Sequence, residues 1–330
     1  MNQRIFVFEF ITGGGLAGQP LPGSLAREGR MMRDALLRDA ADIAGADLVT
    51  LHDARLEAAL PDSIAVTDAG AFDAAFEAAL ASADAALIVA PETGDLLAGL
   101  AARVEASGSR LLGCDAVSCR VATSKSRTAR VLAEAGVAVL PHYSDADALP
   151  DILGAWAVKP DDGAGCDGLL RLPDRAAASH ALRVAGPAHI AQPWLDGEAR
   201  SMNLLCARGR AALLSVNRQV LEHRSERVRL AALAVGAVDA TPQHAALAQR
   251  IAAALPGLLG PVGVDFIETE DGPVVVEINP RMSTSACALR AATGLNLVAA
   301  TLSAARDGTL PSIDPARPHT LTLEAHEETV

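Results

Sequence analysis

Two β-branched runs constrain what this chain can fold into more than any other stretch. Gly263–Val264–Asp265–Phe266–Ile267 and Pro273–Val274–Val275–Val276–Glu277–Ile278–Asn279–Pro280–Arg281 flank Glu270–Asp271–Gly272, a turn signal. The pair therefore reads as an antiparallel hairpin. Side chains alternate along a strand, which predicts Glu277, Asn279 and Arg281 on one face and Val274, Val276 and Ile278 on the other. A three-residue loop over 270–272 sets Asp265 directly opposite Glu277. Like charges so placed destabilise a sheet, a cost that makes sense if cations sit between them. Asp, Glu and Asn oxygens are hard ligands suited to Mg2+, which typically also takes phosphates and water. The stretch reads as a metal–phosphate site with an arginine beside it.

The chain has 330 residues, enough for two or three domains with real cores. Aromatic residues make up only 3% while alanine is abundant, which suits a helix-rich α/β protein better than a sandwich. A net charge of −12 with no basic cluster argues against a nucleic-acid partner. The longest apolar runs, such as Ala85–Ala90, fall short of a membrane span. The start reads as a strand and not as a signal peptide. Cys114, Cys119, Cys166, Cys206 and Cys287 are odd in number and lack Cys-x-x-Cys spacing, so they read as unpaired thiols in a reducing cytoplasm. One count is sharper: Lys125 and Lys159 are the two lysines among 28 basic residues, leaving 26 arginines. A compact ammonium reaches phosphate or carbonyl oxygens where a planar guanidinium does not fit, so these two lysines are candidate phosphate contacts.

From the N-terminus, residues 4–11 form an apolar strand ending in Thr12–Gly13–Gly14–Gly15. This turn supports a rival reading as a dinucleotide phosphate loop of an NAD-type oxidoreductase, although no Gly-x-Gly-x-x-Gly follows. A helix from Ser24, its N-cap, to Ala40 comes next, then a strand at Leu48–Leu51, a helix at Asp73–Ala81 and a strand at Ala85–Val89. A helix over 95–107 and a strand at Leu111–Leu112 complete a parallel, doubly wound unit up to about residue 115. Glu9, Glu28 and Glu92 fall at strand ends or helix starts, where open α/β sheets place ligands. A helical pattern over Ser118–Ala135 carries Lys125, and the strand Ala155–Pro160 carries Lys159. The glycine-rich loop 161–168 follows, of a kind that wraps backbone N–H groups around phosphates. Strands at Ile190–Leu195, Ser201–Cys206 and Ala211–Val216, a helix over 242–255, the hairpin, a helix from Leu289 to about Asp307 and a loosely attached tail complete the chain.

In this order the parts resemble the ATP-grasp superfamily: a lysine on a helix, Val-Lys-Pro before a glycine-rich loop, Gln-Pro-Trp-Leu-Asp-Gly-Glu, Asp265, then Glu277-x-Asn279-x-Arg281. The resemblance runs from about Ser118 to Leu302. It implies an α/β plus α+β chain: an N-terminal parallel domain over 1–115, then ATP-grasp subdomains over 116–190 and 191–330 that clamp ATP. It further implies that Lys125 and Lys159 contact the ATP phosphates, and that the loop closes over them through Asp162, Gly163, Gly165 and Gly168. Gln192, Trp194 and Leu195 would line the adenine site. Ala199 stands where the family carries its ribose-binding acid, leaving Glu198, one residue early, as the candidate. Asp265, Glu277 and Asn279 match ligands for Mg2+, with Mn2+ as an alternative, and Arg281 matches the arginine that faces the transferred phosphate. Glu9–Leu16, Ser24–Gly29, Ala90–Thr93 and Ser215–Gln219 are similar to the tyramine–glutamate ligase group of methanofuran biosynthesis and its methylofuran relatives. That likeness implies amide formation between a carboxylate and an amine, such as glutamate and tyramine, through an acyl phosphate. Asn217, Arg218, Gln219, Arg224 and Arg281, with Glu9, Glu28 and Glu92, are the candidate substrate contacts; a homo-oligomer is open on sequence.

Overall fold

The computed structural model describes residues 3–163, 166, 168–313 and 317–322, with Thr322 described by its backbone. The first layer is built from β1 (Gln3–Glu9), α1 (Gly23–Ala41), β2 (Ala46–Val49), β3 (Leu51–Asp53), β4 (Ile64–Val66), α2 (Ala69–Ser82), β5 (Ala85–Val89), α3 (Leu96–Ser107) and β6 (Arg110–Leu111). The main sheet is parallel in the order β2-β1-β5-β6, with β3 and β4 paired in parallel beside it. Ile5–Phe8 and the whole of β5 are buried, as expected for parallel strands covered by helices on both faces. Phe6 and Phe8 face α2 and α3, while Ile5 and Val7 join the cluster under α1. Phe8, Phe10, Phe72 and Phe76 meet at ring separations of 5.1–6.5 Å, largely edge-on, the arrangement that aromatic quadrupoles favour.

The glycine turn after β1 has a packing explanation. A Cβ on Gly13, Gly14 or Gly15 would come within 2.4 Å of Phe8, Val66 or Phe10 respectively. These glycines let the turn lie on its own core, and α1 begins only at Gly23. The dinucleotide-loop reading is therefore overturned. Pro22 rather than Ser24 is the N-cap of α1, with no side-chain capping bond.

The second layer contains α4 (Ala116–Ala122), α5 (Lys125–Glu134), β7 (Trp156–Pro160), β8 (Leu170–Leu172), α6 (Arg175–Ala185), β9 (His189–Pro193), β10 (Glu198–Ala207), β11 (Arg210–Arg224), β12 (Arg227–Val238), α7 (Pro242–Ala254), β13 (Gly260–Thr269), β14 (Gly272–Asn279), α8 (Leu289–Thr293), α9 (Leu297–Asp307) and β15 (His319–Thr322). Its sheet runs β14-β13-β10-β11-β12-β8-β7-β9, and β15 pairs with β12. One connection ties the two ends of this path. Val139 bridges to Val275 on β14, and Tyr143 bridges to Ala191 on β9. The path thus returns on itself and brings Lys159 on β7 near the far hairpin.

Several elements differ from the sequence expectation. The single helix over Ser118–Ala135 is two, because Ser124 leaves the helix and caps α5 by accepting from Arg127 N–H. The predicted helix from Leu289 breaks at Gly294, whose φ of 75° suits glycine. The tail is partly attached through β15. β12 has no counterpart in the sequence expectation, since its alanine-rich run carries little strand preference.

Candidate active site

The hairpin pairs Asp265 with Glu277 as expected, by a different route. The turn has two residues, Glu270 and Asp271, between the paired Thr269 and Gly272, and a bulge between Asp265 and Phe266 restores the register. The bulge also re-sorts the side chains. Val275, and not Val274 or Val276, is buried in the core with Ile278, while Glu277 and Asn279 stay together at the cleft. Burial first, and then the facing Glu277, pushes the Asp265 carboxyl well above its usual range. Asn279 beside it acts in the opposite direction, and Gln219 Nε2 donates to Asp265 at 3.1 Å. Two carboxylates and an amide oxygen around one point fit a hard divalent cation, whose charge would remove that repulsion. Among the described residues no group of three His, Cys, Asp or Glu side chains could hold a metal ion; the third donor here is an amide.

Both lysines arrive at this point from other segments. Lys125 opens α5, and its Nζ lies 3.5 Å from Glu277 Oε2 while donating to Gly163 O at 2.9 Å and Asp162 O at 3.2 Å. Asp161 fixes that start, accepting from Ser126 N–H at 2.8 Å and from the Ser124 hydroxyl at 2.7 Å. Lys159 is buried on β7, and desolvation lowers it to about 8 although Glu277 favours its charge. Of the glycine-rich loop, Gly163 has φ 85° and Gly168 φ 69°, both demanding glycine-like backbone. Gly165 lies outside the described residues. Asp162 accepts from Gly94 N–H at 2.9 Å, docking the loop on the first domain.

Gln192 shares a sheet face with Lys159, because it pairs with Ala157 while Ile190 pairs with Lys159. Its Oε1 is buried without a partner. Two residues on, Trp194 stacks beneath the Arg171 guanidinium at 5.0 Å and beside the His223 ring at 5.8 Å. Arg171 pairs with Ala157 and so lies on that same face. Neither Arg171 nor His223 was marked by any sequence motif. Leu195 follows, partly buried. Glu198 is elsewhere: it pairs with Glu268 and binds Arg200 at 2.7 Å, whereas the cleft face of β10 at that end carries Ala199 and Ser201, the partner of Asp265.

The predicted substrate residues separate into groups. Gln219 is bonded to Asp265, as above. Asn217 is fully buried, with its amide tied to the Ser201 hydroxyl at 3.1 Å and Gly236 N–H at 3.0 Å. Arg218 is exposed and pairs with Arg200, one step along the strand and on the opposite face from Gln219. Arg224 is exposed on the β11–β12 hairpin, 3.8 Å from Glu222. From the first domain, Glu9 spends its carboxylate on Ile11 N–H, Thr12 N–H and the Thr12 hydroxyl. Glu28 accepts from the Thr284 hydroxyl. Glu92 pairs with Arg281, Nη2 donating to Oε2 at 2.9 Å.

With this geometry in view, comparison with known proteins is direct. A family model for the ATP-grasp domain matches residues 122–285, and one for the pre ATP-grasp 3 domain matches 46–119. Residues 122–285 are an ATP-grasp domain, preceded by a pre ATP-grasp domain. The ATP-grasp arrangement extends to solved structures. A superfamily protein from Archaeoglobus fulgidus aligns with TM-score 0.71 at 21% identity, over 98% of this chain and all of that one. The L-amino acid ligase from Bacillus licheniformis aligns with TM-score 0.64 at 16% identity, over 94% of this chain and 75% of that one. In sequence, the tyramine–L-glutamate ligase of Methanocaldococcus jannaschii is 28% identical over 209 residues. That match spans 63% of this ATP-grasp chain and 58% of the relative.

Proposed function

We propose that this ATP-grasp protein is an ATP-dependent carboxylate–amine ligase that joins glutamate to tyramine or to a related furan-cofactor precursor. The observation that carries the reading is the meeting of Lys125, Lys159, Asp265, Glu277 and Asn279 from three separate segments. The ligase named for the Methanocaldococcus relative supplies the substrate pair. On this reading residues 1–115 form the substrate wall, and 116–190 and 191–330 form the two jaws of the ATP clamp.

A carboxylate is a poor electrophile. Transfer of the ATP γ-phosphoryl group makes it an acyl phosphate; the amine then forms the C–N bond as phosphate leaves with the electron pair. Such transfer is mostly positioning and neutralisation of spread negative charge. Lys125 and Lys159 neutralise phosphate oxygens, and Gln192 and Trp194 line the base end of the cleft. Mg2+ held by Asp265, Glu277 and Asn279 would supply further positive charge at those oxygens. Gln219 positions Asp265, and the glycine-rich loop, docked through Asp162, keeps water from the acyl phosphate. A ligase for another amino acid or small carboxylate shares all of these parts.

The test is ADP release from ATP and Mg2+ with glutamate and tyramine, with the product identified by mass. Formation of the glutamyl amide supports the pair. ADP release with other acid–amine pairs, and none with this one, redirects the substrate assignment.

A further inference from the structure

Glu92 follows β5 and is 2% exposed. Its partner Arg281 stands two residues beyond Asn279. The two groups meet edge to edge: Nη2 donates to Oε2 at 2.9 Å, and Nε lies 2.8 Å from Oε1. The second approach misses hydrogen-bond alignment, so Glu92 Oε1 and Arg281 Nε are both buried without a hydrogen bond. Buried polar atoms left in this way are costly. The remaining arm of Arg281 donates to Met282 O at 2.9 Å. The arginine edge that would clasp a carboxylate or phosphate is thus filled by a carboxylate of the protein itself. Negative charge is in excess here, since Glu28 and Glu9 also act on Arg281. Glu9 is spent on its own turn and Glu28 on Thr284. Of the three, Glu92 is the one with a buried oxygen that lacks an aligned donor.

We propose that Glu92 is the recognition residue for the cationic amine substrate, and that Arg281 holds it in reserve until the activated carboxylate has formed. The assignment rests on the ligase reading above. In the exchange, oxygens of the acyl phosphate take the Arg281 fork, which binds planar anions in two places. Glu92, now unpaired, receives the ammonium of the incoming amine and takes one of its protons; the neutral amine then attacks the acyl carbon, and its second proton leaves with the phosphate. Each buried charge trades one partner for another of the same sign, so neither is left alone, the condition that makes a broken buried pair expensive. An amine arriving before activation finds Glu92 already engaged. The pair therefore sets the order of binding as well as the charge of the nucleophile.

The test compares two nucleophiles on the full chain with Mg2+, ATP and glutamate: tyramine, a cation at neutral pH, and hydroxylamine, which is neutral and traps the acyl phosphate as a hydroxamate. In Glu92→Gln the KM for tyramine is expected to rise at least tenfold, and by at least five times more than that for hydroxylamine. Glu92→Asp, which keeps the charge and shortens its reach, is expected to recover part of the tyramine KM and serves if the glutamine variant does not fold. Equal losses with both nucleophiles would show that Glu92 only holds Arg281 in place, and would overturn the assignment while leaving the ligase reading intact. A rise confined to the KM of glutamate would also overturn it, by showing that the acid reads the ammonium of glutamate itself. Wild-type protein that forms neither amide nor hydroxamate refutes the ligase reading for this pair, and the assignment with it.

Discussion

At the scale of single residues, the two lysines carry the most pointed expectation. Lys159 is buried beside Glu277 with its ammonium lowered to about 8. Arginine there would keep its charge at any working pH and bring a broad plane into a site shaped for a compact head. Lys159→Arg is therefore expected to weaken ATP binding at least tenfold, as titration calorimetry would read; an unchanged affinity removes the argument from lysine scarcity. Glu9 makes a different point. Burial raises its carboxyl above the ordinary 4.5 despite the donors from Thr12 and Ile11. The folded chain thus holds a proton that the unfolded chain has released, and stability falls as pH rises from 4.5 through the raised value. Glu9→Gln removes this titration, so the difference in unfolding free energy between variant and parent should change across that window and be flat below it. Lys125, Lys159, Asp265, Glu277 and Asn279 were all legible in sequence, because charge and spacing mark such residues locally. Glu92 and Arg281 were legible only as separate residues, and Arg171 and His223 beside Trp194 were not legible at all, since partner choice is set by which distant faces the topology brings together.

Elements were read best where one period dominates. β5 matches its expected bounds, whereas the run over Ser118–Ala135 hid a cap at Ser124 that splits it. The hairpin is instructive because two deviations cancel. A shorter turn shifts the pairing by one, and the bulge beside Asp265 shifts it back. The acids therefore face each other as expected, while Val275 takes the core position assigned to its neighbours. In the first layer the expectation concerns packing. Phe76 is fully buried and sits 5.1 Å from Phe8 and 5.5 Å from Phe6. Phe76→Ala should cost about 3–5 kcal/mol of unfolding free energy in a denaturant titration. A loss below about 1 kcal/mol would mean that the cluster refills the space.

For the whole molecule, the cleft exists because segments 125, 159 and 265–279 converge, and a ligand that binds only this assembled form must stabilise it. Mg2+ with ATP at about 100 times the dissociation constant should add about 2.7 kcal/mol, seen as a raised unfolding temperature. Glu277→Ala should abolish both that shift and ADP release while the far-ultraviolet circular dichroism stays native, since it removes one of two mutually repelling acids. A full shift in the variant would sink the metal assignment. No single helix among the described residues is long and apolar enough to cross a membrane. The bridges at Val139 and Tyr143 have a further consequence for how copies of the chain meet one another. A bare outermost strand offers unpaired N–H and C=O groups as a template on which a foreign strand can add. At one end Val275 N–H is already donated to Ala138 O, and at the other Ala191 exchanges both bonds with Tyr143. The same short connection that gathers the cleft thus takes up one residue on each outermost strand of the main path, Val275 and Ala191, and interrupts both as templates for edge-on aggregation.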